Sequence, residues 1–340
     1  MTRELLISDS GARKVDFEME IIIPILLFIV GIVFVVKGGD IFVDSASWIA
    51  EVSGIPKLIV GATIVSFATT LPELLVSVFA AIEGSVDISI GNAFGSVTAN
   101  IGLIMAIAIL CMPSPINRSD YMLKTVLMLG SAAMVVIFGA QGSFSMIACI
   151  VLLIIFAISM TDNVRNAVIS MRESNDNEST ELLRASVTAR TVTTNIVKFI
   201  LGAVMIVIGA QLLVDNGTII AEFFKVPERV IGITIIAVGT SLPELVTTLT
   251  AIRKHESSLS AGNIIGANII DITLIMPLAS LISGKALPVS STVAMLDLPA
   301  CLIVGSIAMI PTLITKRFSR WQGVVLLVVY AAYITISCII

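Results

Sequence analysis

The sequence predicts an all-α integral membrane protein with ten transmembrane helices, arranged as two inverted repeats of five helices each. Three observations lead to this fold class. The chain of 340 residues is 57% hydrophobic and only 13% charged, whereas soluble domains are about 45–50% apolar and about 25% charged. Apolar stretches of the length that crosses a bilayer, about 20 residues, follow one another along the chain. The second half then repeats the polar pattern of the first.

Ten apolar segments fit the length of a membrane span, and only one of their connections is long. The predicted spans are 20–52, 57–82, 87–112, 121–140, 143–163, 194–224, 228–253, 258–283, 288–314 and 320–339. The first and sixth spans are longer than a bilayer requires, which predicts strong tilt or extension beyond the membrane. We therefore expect a first repeat with an N-terminal tail (1–163), a polar linker (164–193) and a second repeat (194–340).

The distribution of positive charge predicts the orientation. With the N-terminus outside, the inward loops hold 13 of the 20 Lys and Arg residues, Lys124 among them, and the outward segments hold 6. Inward loops of membrane proteins carry such an excess. We expect a multi-pass protein of the cell membrane with both termini outside and a cytoplasmic linker. The acidic first 20 residues argue against a cleavable signal peptide, and the net charge of −4 suggests no nucleic-acid partner.

The internal repeat has a constant offset of 171 residues, the distance from Glu73 to Glu244. Residues 61–75 and 232–246 are identical at eight of 15 positions. The same offset relates further polar positions, namely Gly91-Asn92 to Gly262-Asn263 and Asn100 to Asp271. With five spans in each half, the two halves insert in opposite orientations. Inverted repeats are typical of secondary transporters, which bind substrate near the midplane where the repeats meet.

Each half carries one short motif with a glutamate deep in an apolar segment. The motifs are Thr69-Thr70-Leu71-Pro72-Glu73 and Thr240-Ser241-Leu242-Pro243-Glu244. A carboxylate at bilayer depth is costly and usually functional. The proline has no N–H for the carbonyl four residues earlier, so the helix must bend or open. Carbonyls freed in this way must face protein, water or a ligand.

The spans that follow the motifs carry residues spaced by four along one side of a helix. They are Asn92, Ser96 and Asn100 in the first half and Asn263, Ala267 and Asp271 in the second. With the motifs, they offer three carboxylates, an amide, hydroxyls and carbonyls. Calcium takes six to eight such oxygens, and sodium also prefers oxygen. No His or Cys lies near the motifs, which argues against zinc or copper.

Three negative charges at low dielectric cannot all stay ionised without cations. One ion can therefore leave only when other ions, or protons, replace it, and this is a physical route to exchange. We expect no cofactor, because calcium and sodium would be the transported ions themselves.

The paired motifs resemble those in the two repeats of the cation/calcium exchanger superfamily, in particular its prokaryotic sodium/calcium exchanger branch. The resemblance covers the chain from about residue 20 to residue 339. The resemblance implies motif regions at 58–105 and 229–276, and four ion sites in a diamond at mid-membrane. The long first and sixth helices would slide across the rest as the gate.

The implied calcium ligands are Glu73 and Glu244 with the carbonyls of Thr69 and Thr240. The implied sodium ligands are Thr69, Thr70, Thr240, Ser241, Ser96 and the carbonyls of Ser66 and Ala237, with Asn100 and Asp271 completing the middle site.

Two departures from the family pattern bear on the counter-ion. Ala68 and Thr70 stand where the family usually has glycine and serine, and Thr70 keeps the hydroxyl. Ala267 replaces the serine that would match Ser96, so one sodium site loses an oxygen.

The predicted function is a secondary antiporter, not an enzyme, that exchanges calcium for sodium and works as a monomer in the lipid bilayer. A calcium/proton or potassium-dependent antiporter is the alternative.

Two other classes of membrane protein fit the sequence less well. An aspartyl intramembrane protease needs paired membrane aspartates, but the paired acids here are glutamates. A serine type needs a membrane histidine, and His255 lies in a predicted loop. Channel pores are usually symmetric about an axis across the membrane, whereas an inverted repeat fits alternating access.

Overall fold

The protein is a bundle of membrane helices in the computed structural model, which describes residues 2–82, 84, 86–175, 188–225, 239, 241–283 and 286–339. Within these ranges, eight helices are long and apolar enough to cross a membrane. The number is nine if the bent pair Lys57–Thr69 and Leu71–Ile82 is one span. The prediction of an all-α membrane protein is confirmed. The predicted seventh span, 228–253, lies partly outside the described residues, so the count of ten stays a prediction.

The described residues of the first half form eight α-helices and two π-helical segments. The α-helices are α1 (Thr2–Ser53), α2 (Lys57–Val60), α3 (Ser66–Thr69), α4 (Leu71–Ile82), α5 (Val86–Ala99), α6 (Ala106–Cys111), α7 (Arg118–Gly139) and α8 (Met146–Asn175). The π-helical segments are π1 (Gly61–Val65) and π2 (Asn100–Met105). Such segments occur mostly as short bulges inside α-helices, frequently at functional sites. Because α1 begins at Thr2, the predicted N-terminal tail continues the first span as a helix.

The second half contains six described α-helices and two further π-helical segments. The α-helices are α9 (Ala189–Phe223), α10 (Leu242–Arg253), α11 (Ser257–Ile270), α12 (Met276–Ser283), α13 (Leu298–Thr315) and α14 (Arg320–Ile339). The π-helical segments are π3 (Asp271–Ile275) and π4 (Val293–Asp297). A two-stranded antiparallel sheet joins the halves, with β1 (Ser143–Phe144) paired to β2 (Leu287–Pro288).

The predicted long first and sixth spans are present and cross each other closely. Their apolar parts contain 33 residues (Ile21–Ser53) and 32 residues (Ala189–Ile220). A β-carbon on Gly31 would lie 3.0 Å from the carbonyl oxygen of Gly209, and one on Gly38 would lie 3.0 Å from that of Gly202. The helices therefore run antiparallel, and small residues let their backbones approach.

Acidic residues of α1 connect this helix to the turn between α10 and α11. The ion pairs are Asp40 with Arg253, Asp44 with Lys254 (2.5 Å), Glu51 with Lys57 (3.1 Å) and Lys57 with Glu256 (2.5 Å). The Asp44 side chain is 69% exposed, and exposed pairs contribute little to stability. The ion pairs of Asp44 and Glu51 are therefore exposed contacts rather than part of the core.

Two charged residues inside the spans have environments that the sequence did not predict. Lys124, which is counted above with the charges of the inward loops although the predicted span 121–140 includes it, lies within α7 with only 3% of its surface exposed. Asp297, which has no acidic counterpart in the first half, ends π4 and accepts a hydrogen bond from the hydroxyl of Tyr333 (2.9 Å). Partners supplied by other helices account for both positions.

Gln322 on α14 satisfies the backbone of α13 where Pro311 interrupts it. Pro311 provides no N–H for the carbonyl of Ile307, and Gln322 Nε2 donates to that carbonyl (3.2 Å) and to that of Ala308 (2.9 Å). The side chain is fully buried. The α13–α14 contact therefore depends on one amide.

We expect Gln322→Leu to lower the free energy of unfolding by about 1–3 kcal/mol, because the carbonyl of Ile307 loses its donor. Thermal unfolding in detergent should show a lower midpoint. Gln211→Leu, at an exposed position of α9, is the control and should leave the midpoint nearly unchanged. Equal midpoints for the two variants would contradict the assignment.

Candidate functional site

The two glutamate motifs begin equivalent helices. The helices α4 and α10 are each 12 residues long, and each has the motif proline and glutamate in its first turn. The predicted break at the first motif is confirmed, since the axis bends by 47° between Lys57–Thr69 and Leu71–Ile82. Pro72 cannot continue the hydrogen-bond ladder. The bend therefore places Glu73 at the start of a new helix, next to the end of α3.

Two asparagines hold the motif helices against the helices that follow them. The Asn92 amide donates to the carbonyl of Glu73 (3.1 Å), and the Asn263 amide donates to the hydroxyl of Thr247 (3.0 Å). Asn263 Oδ1 also accepts a hydrogen bond from the hydroxyl of Thr69 (3.2 Å). A residue of the second half therefore fixes a hydroxyl of the first motif.

Three buried carboxylates lie near one another in this region. Glu73, Glu244 and Asp271 are each 0% exposed. Glu73 is close enough to the other two for their charges to interact. The Thr70 hydroxyl donates to Glu244 Oε1 (3.2 Å). Within the described ranges, Glu244 Oε2 and both carboxylate oxygens of Glu73 and Asp271 have no hydrogen-bond partner. Leaving buried carboxylates unpaired is strongly unfavourable, so this arrangement is complementary to cations.

Other predicted ligands share this buried and unpaired state. Ser96, Asn100 and Ser241 are each 1% exposed, and their side-chain oxygens have no partner among the described residues. Asn100 begins π2 as Asp271 begins π3. The structure therefore brings an amide and a carboxylate to corresponding helix bulges in the two halves.

Ser66 is buried, but its oxygen atoms are engaged. Its hydroxyl donates to the carbonyl of Thr63 (3.0 Å). Its carbonyl accepts hydrogen bonds from the Thr69 hydroxyl (3.3 Å) and the Thr70 amide (2.9 Å). A sodium ion at this carbonyl would have to displace the Thr69 hydroxyl.

Two predicted ligands, Thr240 and the carbonyl of Ala237, lie outside the described residues. Among those that are described, no group of three or more His, Cys, Asp or Glu side chains is arranged to hold one metal ion. A single ion would therefore take at most two of the carboxylates, with hydroxyls and carbonyls completing its oxygen shell.

One buried amide was not among the predicted ligands. Asn268 is 0% exposed, and both polar atoms of its side chain have no partner within the described part of the chain. It follows Ala267, which is also fully buried. The sequence does contain a sign of this residue, because Asn268 is an amide in an apolar span. The corresponding residue of the first half is Val97, so the repeat does not draw attention to it.

Most of the chain is similar in sequence to known membrane proteins, including a sodium/calcium exchanger. The family description "Sodium/calcium exchanger protein" matches residues 23–162 and 194–339. The sodium/calcium exchanger MaX1 of Methanosarcina acetivorans is 32% identical, with 93% of this chain and 99% of MaX1 covered. The inner membrane protein YrbG of Escherichia coli is 35% identical, with 76% of this chain and 79% of YrbG covered.

A solved structure is similar to the whole fold. The sodium-calcium exchanger NCX_Mj, soaked with Na+ and Sr2+, superposes with a TM-score of 0.78 at 28% identity, with 93% of this chain and 99% of NCX_Mj covered. The family match and these relatives together cover both motifs and the helices around them. The chain is a multi-pass membrane protein that belongs to the sodium/calcium exchanger family, in the prokaryotic branch of the cation/calcium exchanger superfamily, whose members are transporters and not enzymes.

Proposed function

We propose that the protein is a secondary antiporter that exchanges calcium for sodium across the cell membrane by alternating access. The observation that carries the proposal is the pair Glu73 and Glu244, fully buried, one from each half, with three of their four carboxylate oxygens unpaired within the described chain. Such a pair needs positive charge from bound cations or protons. The relatives MaX1 and NCX_Mj, which carry the name of sodium/calcium exchangers, support calcium and sodium as the ions.

The proposed architecture is ten helices in two inverted repeats. The bounds of three successive elements support it: α4 and α10, α5 and α11, and the starts of π2 and π3 are related by the sequence offset of 171 residues. The crossing of α1 and α9 adds support. At that offset Gly31 corresponds to Gly202 and Gly38 to Gly209, yet Gly31 packs on Gly209 and Gly38 on Gly202. Such reciprocal contacts are what a two-fold relation between the halves produces.

The proposed ligand sets are those that the family resemblance implies. Calcium takes Glu73 and Glu244 with the carbonyls of Thr69 and Thr240, and Asn100 and Asp271 form the middle site. Sodium takes the hydroxyls of the motifs and Ser96 on either side, with the carbonyls of Ser66 and Ala237. Calcium and sodium ions compensate the same carboxylates, so release of one requires entry of the other.

The proposed topology has both termini outside, and the monomer is the transporting unit. The excess of Lys and Arg in the segments assigned to the cytoplasm supports this orientation. One inverted pair of repeats encloses one complete set of ligands, so a second copy of the chain is not needed to build the site.

Calcium flux in proteoliposomes tests the proposal. An outward sodium gradient should drive calcium uptake in vesicles that contain the protein, and a pH gradient of equal size should not. Empty vesicles are the control for leak. Calcium uptake driven only by the pH gradient, or no calcium flux under either gradient, would contradict sodium/calcium exchange.

One observation favours the alternative of calcium/proton exchange. Ala267 is buried where the first half has the Ser96 hydroxyl, so the second half offers one oxygen fewer to sodium. Carboxylates at the site can take protons instead. Adding potassium to the same vesicles distinguishes a potassium-dependent exchanger, because its flux would require that ion.

A further inference from the structure

Lys124 places a cationic side chain inside a membrane span. It lies seven positions into α7, counting Arg118 as the first, and it is 3% exposed. A charge within a span is costly and points to a function. Among the described residues no carboxylate forms an ion pair with its amine, although Asp120 and Asp162 act on its charge from a greater distance. The amine donates instead to Asn163 Oδ1 on α8.

Asn163 also forms a hydrogen bond to the helical segment that precedes the first motif. It is 2% exposed, and its amide donates to the carbonyl of Ala62 (3.4 Å). Ala62 belongs to π1, where the N–H of Ser66 donates to the carbonyl of Gly61, five residues earlier. The Ser66 amide therefore does not use the Ala62 carbonyl as it would in an α-helix. Asn163 donates to this carbonyl from the neighbouring helix α8.

Ala62 lies one helical turn before Ser66, and Thr69 and Thr70 follow about one turn later. A β-carbon on Gly266 would lie 2.8 Å from this carbonyl oxygen and 2.7 Å from Ser66 Oγ, so α11 leaves no space for π1 to move toward it. Ser66 in turn holds Thr69 and Thr70 through its carbonyl. A change in π1 would therefore shift both hydroxyls of the first motif.

We infer that Lys124 is a positioning residue for the ion site: through Asn163 it holds the π1 segment, and thereby sets the place of the Thr69 and Thr70 hydroxyls. The charge of the amine strengthens its hydrogen bond to Asn163 and orients the amide toward Ala62. This inference rests on the proposed function. Mutation of a residue that orients metal ligands typically lowers metal affinity by about 10–100-fold.

A double-mutant cycle in proteoliposomes tests the inference. The variants are Lys124→Met, Asn163→Leu and the double variant, with Lys198→Met at an exposed position of α9 as the control. We expect each single variant to raise the KM for calcium about tenfold with kcat changed less than about twofold. The double variant should be no worse than the single ones, because both remove the same contact. Lys124→Arg should restore most of the affinity.

The outcomes separate this inference from the proposed function. Absence of calcium exchange in the wild type would contradict the proposed function itself. Wild-type exchange with an unchanged calcium KM in both single variants, or with fully additive effects, would overturn the role of Lys124. If Lys124→Met does not fold, Lys124→Gln replaces it in the cycle, because it removes the charge without leaving an apolar side chain against Asn163. An unchanged KM in Lys124→Gln and Asn163→Leu then overturns the inference.

Discussion

Glu73→Gln and Glu244→Gln are each expected to abolish calcium exchange while making the ion-free protein more stable. Each substitution removes one of two charges that face each other in the buried site. Breaking a buried ionic interaction on one side costs about 3–5 kcal/mol, which equals about two to four orders of magnitude in calcium affinity. Without ions, however, each buried carboxyl group must either stay charged and unpaired or take up a proton, so removing one of them stabilises the folded state.

Two measurements on purified protein check this pair of opposite effects. The thermal midpoint in ion-free detergent should rise for both variants. The increase in midpoint that calcium produces in the wild type, which reflects binding to the folded state, should disappear. Glu222→Gln, at an exposed position of α9, should leave both quantities unchanged. Calcium exchange at wild-type rates by either motif variant would contradict the site.

The sequence was sufficient to predict the break and the paired acids of the site. Pro72 in an apolar segment demands a bend whatever surrounds it, and the structure bends by 47° there. Glu73 and Glu244 could be predicted because a carboxylate in a membrane span has few reasons to be present except function. These conclusions rest on single residues and need no knowledge of their neighbours.

The contacts between helices could not be predicted in this way. A lysine near the start of a predicted span suggests a charge at the membrane surface, but Asn163, 39 residues after Lys124, supplies a buried partner for its amine. Asp297 likewise depends on Tyr333 of another helix. The segments π2 and π3 lie in spans that are buried on most sides, so the apolar residues are not confined to one face and hydrophobic periodicity does not reveal the extra residue of a π-helical turn.

Close packing of two backbones next to the ion site leads to the second large effect. A β-carbon on Gly262 would overlap the carbonyl oxygen of Leu58, and one on Gly61 would overlap that of Leu259. Overlap of this kind must be relieved by movement of the backbones, because a carbonyl cannot rotate away as a flexible side chain can. Separating the helices moves Asn263, which follows Gly262 and holds the Thr69 hydroxyl.

Gly262→Ala is therefore expected to abolish most calcium exchange by displacing ligands without changing any of them. Overpacking costs about 1–3 kcal/mol of stability, and a ligand shell displaced by about 1 Å no longer matches calcium–oxygen distances of about 2.3–2.6 Å. Calcium flux and the calcium-induced midpoint shift measure the two effects. Gly130→Ala provides the matched control, since nothing lies within 4 Å of a β-carbon at that exposed position of α7. Normal flux in Gly262→Ala would mean that the α2–α11 contact does not set the geometry of the ion site, and the role assigned to Asn263 would then be wrong.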